Sequence, residues 1–252
     1  MLTSTYIHIQ SIGKTIEHKI WSSGIRKWSE FMEQHDTIPI SVTKKETIIA
    51  GVDESNDRLD AQDFEFFANA LPRSEHWRAY RHFSGSVAYV DIETTGLSPE
   101  YDDLTVVGIY DGKDAKTYVR GIDLDDIVEE LAKYELLITF NGARFDLPFI
   151  KQKYPQIEFN QLHIDLMYPL RRIGLSGGLK NIERTLGISR SDETTGIDGF
   201  EAVRLWRRYE RGEKGALELL LEYNREDIVN LDTIIGMTYQ KFVDNAFSVA
   251  NC

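Results

Sequence analysis

Val87-Ala88-Tyr89-Val90-Asp91-Ile92-Glu93-Thr94-Thr95-Gly96-Leu97 is the stretch that decides the fold. It is an apolar run that ends in two carboxylates and then turns. Side chains at i and i+2 of a strand share a face, so Asp91 and Glu93 point the same way at the end of a buried strand. Two acids on one face repel each other. A divalent cation between them is the usual resolution.

Working outward, strands are expected at residues 86–93, 104–110 and 115–119, with Asp111-Gly112 as a hairpin turn. Asp123 is expected to cap a helix reaching residue 134, with Leu124, Ile127, Val128 and Leu131 on its apolar face. Residues 136–140 read as a further strand. Three strands, a helix, a strand and then more helices point to a mixed sheet in an α/β domain.

Two further stretches carry acids. In Phe140-Asn141-Gly142-Ala143-Arg144-Phe145-Asp146-Leu147-Pro148, a strand ends, Asn141-Gly142 turns, and a helix begins near Phe145. Pro148 suits the first turn of that helix. Asp146 then sits at a helix N-terminus, where the dipole favours an ionised carboxylate; a simple cap is the other reading. In Glu222-Tyr223-Asn224-Arg225-Glu226-Asp227, on a helix expected over residues 215–242, Tyr223 and Asp227 lie one turn apart. They fall beside the apolar stripe, so Asp227 needs a cation, a buried arginine, or an edge position in solvent. Between these stretches lies Leu162-His163-Ile164-Asp165-Leu166. His163 reads as a satisfied core histidine. Asp165 either ligates a metal, directly or through another ligand, or caps the next helix.

The first part of the chain reads as helical. Residues 15–21 and 25–32 carry apolar residues at helical spacing, separated by Ser22-Ser23-Gly24. With Ile9-Gln10-Ser11-Ile12-Gly13-Lys14 in front, this is a weak helix-hairpin-helix pattern, in which Ser11 stands where a glycine is usual. Such hairpins bind phosphate through backbone N–H groups; a small packing module is the plainer reading. Helices are also expected at residues 42–49 and 61–71, the second capped by Asp60, with residues 53–57 as a polar turn between them. Trp77, Tyr80 and Phe83 interleave with Arg78 and Arg81, which suits either base stacking or packing with the arginines snorkelling. The expected division is a helical region over residues 1–76 and an α/β domain over residues 77–252.

The chain has a net charge of −12 and 42% hydrophobic residues. That charge disfavours a general nucleic-acid coat. Residues 171–211 are nevertheless locally basic, with nine basic against six acidic residues, and Arg171, Arg172, Lys180, Arg184 and Arg190 are candidate contacts to a phosphate backbone. Cys252 is the only cysteine, which excludes an internal disulfide and a cysteine-based zinc site. No apolar run of about 18 residues suggests a membrane span. With no signal peptide at the start, the expected location is cytoplasmic.

Taken together, Asp91-x-Glu93, Asn141-Gly142-x-x-Phe145-Asp146 and Tyr223-x-x-x-Asp227 resemble, in order and spacing, the three motifs of the DEDD-type (DnaQ-like) 3′–5′ exonucleases. Glu222 replaces the histidine of one subtype, and Tyr223 fits the tyrosine subtype. The likeness extends to the YprB-type ribonuclease H-like proteins through His163-Ile164-Asp165-Leu166, Gly177-Gly178-Leu179-Lys180-Asn181-Ile182-Glu183 and Gly199-Phe200-Glu201-Ala202-Val203-Arg204-Leu205-Trp206.

The resemblance implies a ribonuclease H-like mixed sheet flanked by helices. It implies two divalent metal ions, Mg²⁺ or Mn²⁺, held by Asp91, Glu93, Asp146 and Asp227, with Asp165 as a further candidate ligand. Tyr223 would orient the attacking water. Thr94, Leu97, Asn141, Phe145 and Lys180 would contact substrate, Leu97 as a wedge against the terminal base. The implied activity is 3′–5′ hydrolysis of DNA or RNA at a single-stranded 3′ end. A structure-specific endonuclease with the same site, or a nucleic-acid-binding module without activity, are the alternatives.

Overall fold

The computed structural model describes residues 1–249, and the chain divides into two compact units. Cys252 lies outside the described residues. The first unit comprises residues 1–85, residues 160–164 and the segment from Tyr239 onward. It holds α1 (Lys14–Ser22), α2 (Trp28–Gln34), α3 (Val42–Asp60), α4 (Phe64–Ala70) and α5 (Tyr80–Phe83). The boundary expected after residue 76 therefore falls after Gly85. Aromatic packing explains the shift: Phe83 lies 6.0 Å from Phe67 and Tyr80 lies 5.3 Å from Tyr239, centroid to centroid.

Residues 53–57 are not a turn but part of α3. Ile48, Val52 and Ser55 recur at helical spacing and are buried, while the Ser55 hydroxyl donates to Gly51 O at 2.5 Å. The rest of the polar run, Asp53, Glu54, Asn56 and Asp57, is the solvent face. The next helix is capped by Asp63, which accepts from Phe66 N at 2.9 Å, and not by Asp60. In the suspected hairpin, Ser11 adopts φ 65°, the left-handed conformation a glycine would take. The helices expected on either side of Ser22-Ser23-Gly24 are present as α1 and α2.

Trp77 and Arg78 belong to the core of this unit and are not free to stack bases. Arg78, 3% exposed, donates to Glu17 Oε1 and Oε2 at 2.9 Å each, to Glu75 Oε2 at 2.9 Å and to Thr5 Oγ1 at 2.7 Å. Lys14 donates to Glu75 at 2.7 Å, and the Tyr6 backbone N–H to Glu17 at 2.9 Å. Burying two acids is tolerable only with their oxygens occupied in this way.

The second unit, residues 86–159 and 165–238, is α/β. In chain order from residue 86 come β1 (Val87–Thr94), β2 (Leu104–Tyr110), β3 (Ala115–Val119), α6 (Ile127–Leu131), β4 (Leu136–Thr139), α7 (Asp146–Lys153), β5 (Leu162–Asp165), α8 (Met167–Arg172), α9 (Leu179–Leu186), α10 (Gly199–Glu210) and α11 (Ala216–Val249); of these, the first three residues of β5 and the part of α11 from Tyr239 count with the first unit. The sheet order is β3-β2-β1-β4-β5. Strand β1 runs antiparallel to β2 and parallel to β4, so the sheet is mixed, as the sequence predicts.

Alternation along β1 sorts its side chains. Ala88, Val90 and Ile92 join Leu137, Ile127, Phe149 and Ile150 in a core beneath one face. Val106 of β2 packs on the other side with Ala202, Leu205, Trp206, Leu220 and Tyr223. Each large aliphatic side chain buried this way contributes about 1.5–3 kcal/mol. Asp123 does not cap α6 through its side chain; its carboxylate accepts from Val119 N at 2.7 Å, and a 3₁₀ turn at Leu124–Asp126 leads into α6. No helix of the described residues is long and apolar enough to cross a membrane.

Candidate functional site

Strand β1 carries Asp91 and Glu93 on the face opposite Ala88, Val90 and Ile92. Its register with β2 slips between Glu93 and Thr94, a bulge that ends regular pairing just past the acids. Opposite Asp91 in the register stands Gly108. A Cβ at Gly108 would come within 2.0 Å of Asn224 Oδ1. The missing side chain is what lets α11 close on the sheet there. Asn224 uses that approach to donate Nδ2 to Asp91 Oδ2 at 3.0 Å and to Asp91 O at 3.3 Å.

From α11, Tyr223 and Asp227 arrive one turn apart, both buried. Carboxylate oxygens of Asp91, Glu93 and Asp227 all lie within 4.8 Å of one another. Asp146, the first residue of α7 and 2% exposed, stands beside this group. Glu93 Oε1 and Asp146 Oδ1 are buried without a hydrogen-bond partner. Burying a polar oxygen unpaired is costly. An all-oxygen donor set with orphaned, buried atoms suits a hard divalent cation.

The electrostatics follow from burial. Desolvation, then Asp227, Asp146 and Glu93, push the Asp91 carboxyl well above its ordinary range. Desolvation and Asp227 do the same to Glu93. Asp146 is pushed up to about 8, by desolvation first and by Asp165 among its neighbours. Contrary to the sequence expectation, the helix N-terminus does not keep the Asp146 carboxyl in its ordinary range, because burial among acids outweighs a dipole effect of about 0.3–2 kcal/mol. Asp227 is raised by desolvation, against the pull of Lys180 and Arg190. The Tyr223 phenol is pushed up by desolvation and by Asp227, so it stays protonated.

Two cations flank this end of the site. Lys180, from α9, donates to the Tyr223 hydroxyl and lies 3.8 Å from Asp227 Oδ1. Arg190 donates to Asp227 and grips Glu183 at 2.8 and 2.6 Å. Its side chain is only 7% exposed, so Arg190 is not the surface phosphate contact expected from the basic stretch. It is the buried arginine that Asp227 needs. Arg171, Arg172 and Arg184 are exposed.

Asp165 accepts from Asn141 N at 2.7 Å, Ala143 N at 3.2 Å and Met167 N at 3.2 Å; both oxygens serve the turn that launches α7. Asn141 takes φ 64° in that turn, and it does not line the cleft over the acids. The Thr94 hydroxyl donates to Gly96 O at 2.5 Å. His163, whose backbone N–H donates to His76 Nδ1 at 3.0 Å, is lowered to about 3 by burial and is neutral.

A cleft of about 750 Å³ opens over the acids. Asp91, Glu93, Thr94, Leu97, Phe145, Tyr223 and Asp227 line it, and one face of α10 forms another wall. Sequence reading missed Asn224 and Gly108. Asn224 stands next to Tyr223 in the third motif, but nothing local shows that Gly108 faces it.

A family model described as RNase_H_2, of the RNase_H superfamily, matches residues 88–239. No curated protein matches the chain. Among solved structures, the family B DNA polymerase of the hyperthermophilic archaeon Pyrobaculum calidifontis aligns with a TM-score of 0.47 at 16% identity, over 60% of this chain and 24% of that one. The chain thus spans about a quarter of that polymerase. Brucella melitensis NrnC bound to pGG aligns with a TM-score of 0.45 at 19% identity, over 72% of this chain and 84% of that one. The same protein with bound Mg²⁺ gives 0.45 at 20% identity, over 72% and 85%.

Proposed function

Since the chain belongs to the RNase H superfamily, whose model covers residues 88–239, we propose that it is a metal-dependent nuclease, a 3′–5′ exonuclease of the tyrosine subtype acting on DNA or RNA. The observation that carries this reading is the convergence of Asp91, Glu93 and Asp227 oxygens within 4.8 Å at the base of an open cleft, beside the buried Asp146. The motif order and Tyr223 support the direction of attack and the subtype.

Asp91, Glu93, Asp146 and Asp227 would hold two Mg²⁺ or Mn²⁺ ions. When bound, such a pair supplies a water nucleophile at neutral pH and Lewis acidity at both oxygens of an in-line displacement. The protein's own residues do the positioning. Asn224 fixes the Asp91 carboxylate, and Arg190 fixes that of Asp227. Tyr223 accepts from the Lys180 ammonium, which leaves its own O–H to donate into the cleft. A protonated phenol there orients a water or a phosphoryl oxygen and removes no proton itself. Asp165, spent on backbone N–H groups, holds the turn that presents Asp146.

The test is degradation of a 5′-labelled single-stranded oligonucleotide in Mn²⁺ by the wild type, by Asp91→Asn with Glu93→Gln, and by Tyr223→Phe. The double variant should show no detectable cleavage and Tyr223→Phe a loss of about 10²-fold or more. A ladder shortening from the 3′ end, with circular single strands left intact, is expected. Cleavage of circles would make the enzyme an endonuclease. Full activity in the double variant would remove the reading.

A further inference from the structure

Helix α10 has two unlike faces. Ala202, Leu205 and Trp206 are buried in the core. Phe200, Val203, Arg204 and Arg207 fall at i, i+3, i+4 and i+7, and all four line the cleft that holds the acids. Phe200 is 68% exposed, so core packing does not explain an aromatic ring there. Leu97, on another part of the cleft wall, is 73% exposed. Arg204 has one exposed pair, with Glu201 at 2.9 Å, and such pairs are weak. Arg207 is exposed and makes no ion pair among the described residues.

We propose that this face of α10 is a docking strip for an unpaired nucleic-acid strand, with a base stacked on Phe200 and backbone phosphates on Arg204 and Arg207. The charge pattern argues for that occupant. The protein carries −12 overall, and the cleft floor is acidic. Two arginines and an exposed ring on its wall suit a partner that is both anionic and aromatic, as a nucleotide chain is. An open ring requires an unstacked base, which an unpaired strand offers and a duplex interior does not. Asp198, the N-cap of α10, also lines the cleft. It disfavours phosphate at the Phe200 end and so places the phosphates toward Arg207. Stacking is indifferent to base identity, so the strip gives grip with little sequence preference.

The strip deepens the nuclease reading and rests on it for what is cut. Binding is measured by anisotropy of a fluorescent single-stranded 12-mer and a blunt duplex, using the full chain carrying Glu93→Gln. Adding Phe200→Ala should weaken single-strand binding about tenfold, and Phe200→Trp should restore it. Arg204→Gln with Arg207→Gln should lower the salt slope by about 1.4. Duplex binding should be unmoved. Single-strand affinity within twofold of the parent in Phe200→Ala, with circular dichroism unchanged, overturns the strip. The two proposals fail separately. Phe200-dependent binding by a chain that cleaves nothing in any divalent metal keeps the strip and removes the nuclease. Cleavage with a KM indifferent to Phe200→Ala keeps the nuclease and removes the strip.

Discussion

Asp146 and Glu93 are each left with one oxygen that nothing in the protein satisfies, and this fixes how the metal-free protein responds to pH. Their folded pKa values lie above those of the unfolded chain, Asp146 at about 8. The folded state then keeps protons that the unfolded chain releases. Stability in EDTA should therefore fall as pH rises from about 4 and level off above the highest folded value. Thermal melts between pH 5 and 9 in EDTA should show Tm dropping, and saturating Mn²⁺ should flatten the drop by favouring the ionised carboxylates. A Tm in EDTA that rises over this range would contradict the burial argument. At this scale Asp91 could be paired with Glu93, and Tyr223 with Asp227, because period 2 on a strand and period 3.6 on a helix decide which side chains share a face; that Asp146 belongs with them was implied only by the resemblance of the three motifs. Arg190 could be named but not placed, since a run of basic residues says nothing about which one turns inward.

The strand, turn and helix that carry the acids come from local chemistry, and their close approach comes from a residue that has none. Gly108 is visible in the sequence only as a weak point in a strand. The register of β1 and β2 sets it opposite Asp91, and α11 brings Asn224 against it. Gly108→Ala should force Asn224 back, free the Asp91 carboxylate and cost about 1–3 kcal/mol of stability through overpacking. Catalytic rate should fall about tenfold or more, because positioned groups lose rate steeply with small displacements. Steady-state kinetics with urea unfolding separates the two effects. Helix α3 shows the opposite limit of local reading. Its five polar residues at 53–57 look like a turn until Ile48, Val52 and Ser55 are seen to share a buried face.

At the scale of the whole molecule, the mixed sheet was legible from the spacing of strands and helices, but the division of the chain was not. The expected boundary follows residue 76, whereas the first unit runs to Gly85 and takes back residues 160–164 and the segment from Tyr239. Only tertiary contacts could reveal that. The unit is locked by Arg78 between Glu17 and Glu75. Arg78→Ala leaves two buried acids with one lysine and should cost about 3–5 kcal/mol, read from the urea midpoint; a loss under about 1 kcal/mol would show the network to be dispensable.

That return of the chain has a consequence in time. Trp77 packs edge-on against Phe242 at 5.8 Å, and Trp21 against Phe247 at 4.8 Å. On the ribosome each tryptophan emerges well over a hundred residues before its C-terminal partner, an interval of about 8–45 s at about 5–20 residues per second. Two large indoles wait through it without these aromatic partners. The unit that holds both indoles is thus completed only when the segment from Tyr239 has been made, and until then it is the part a nascent-chain chaperone would meet.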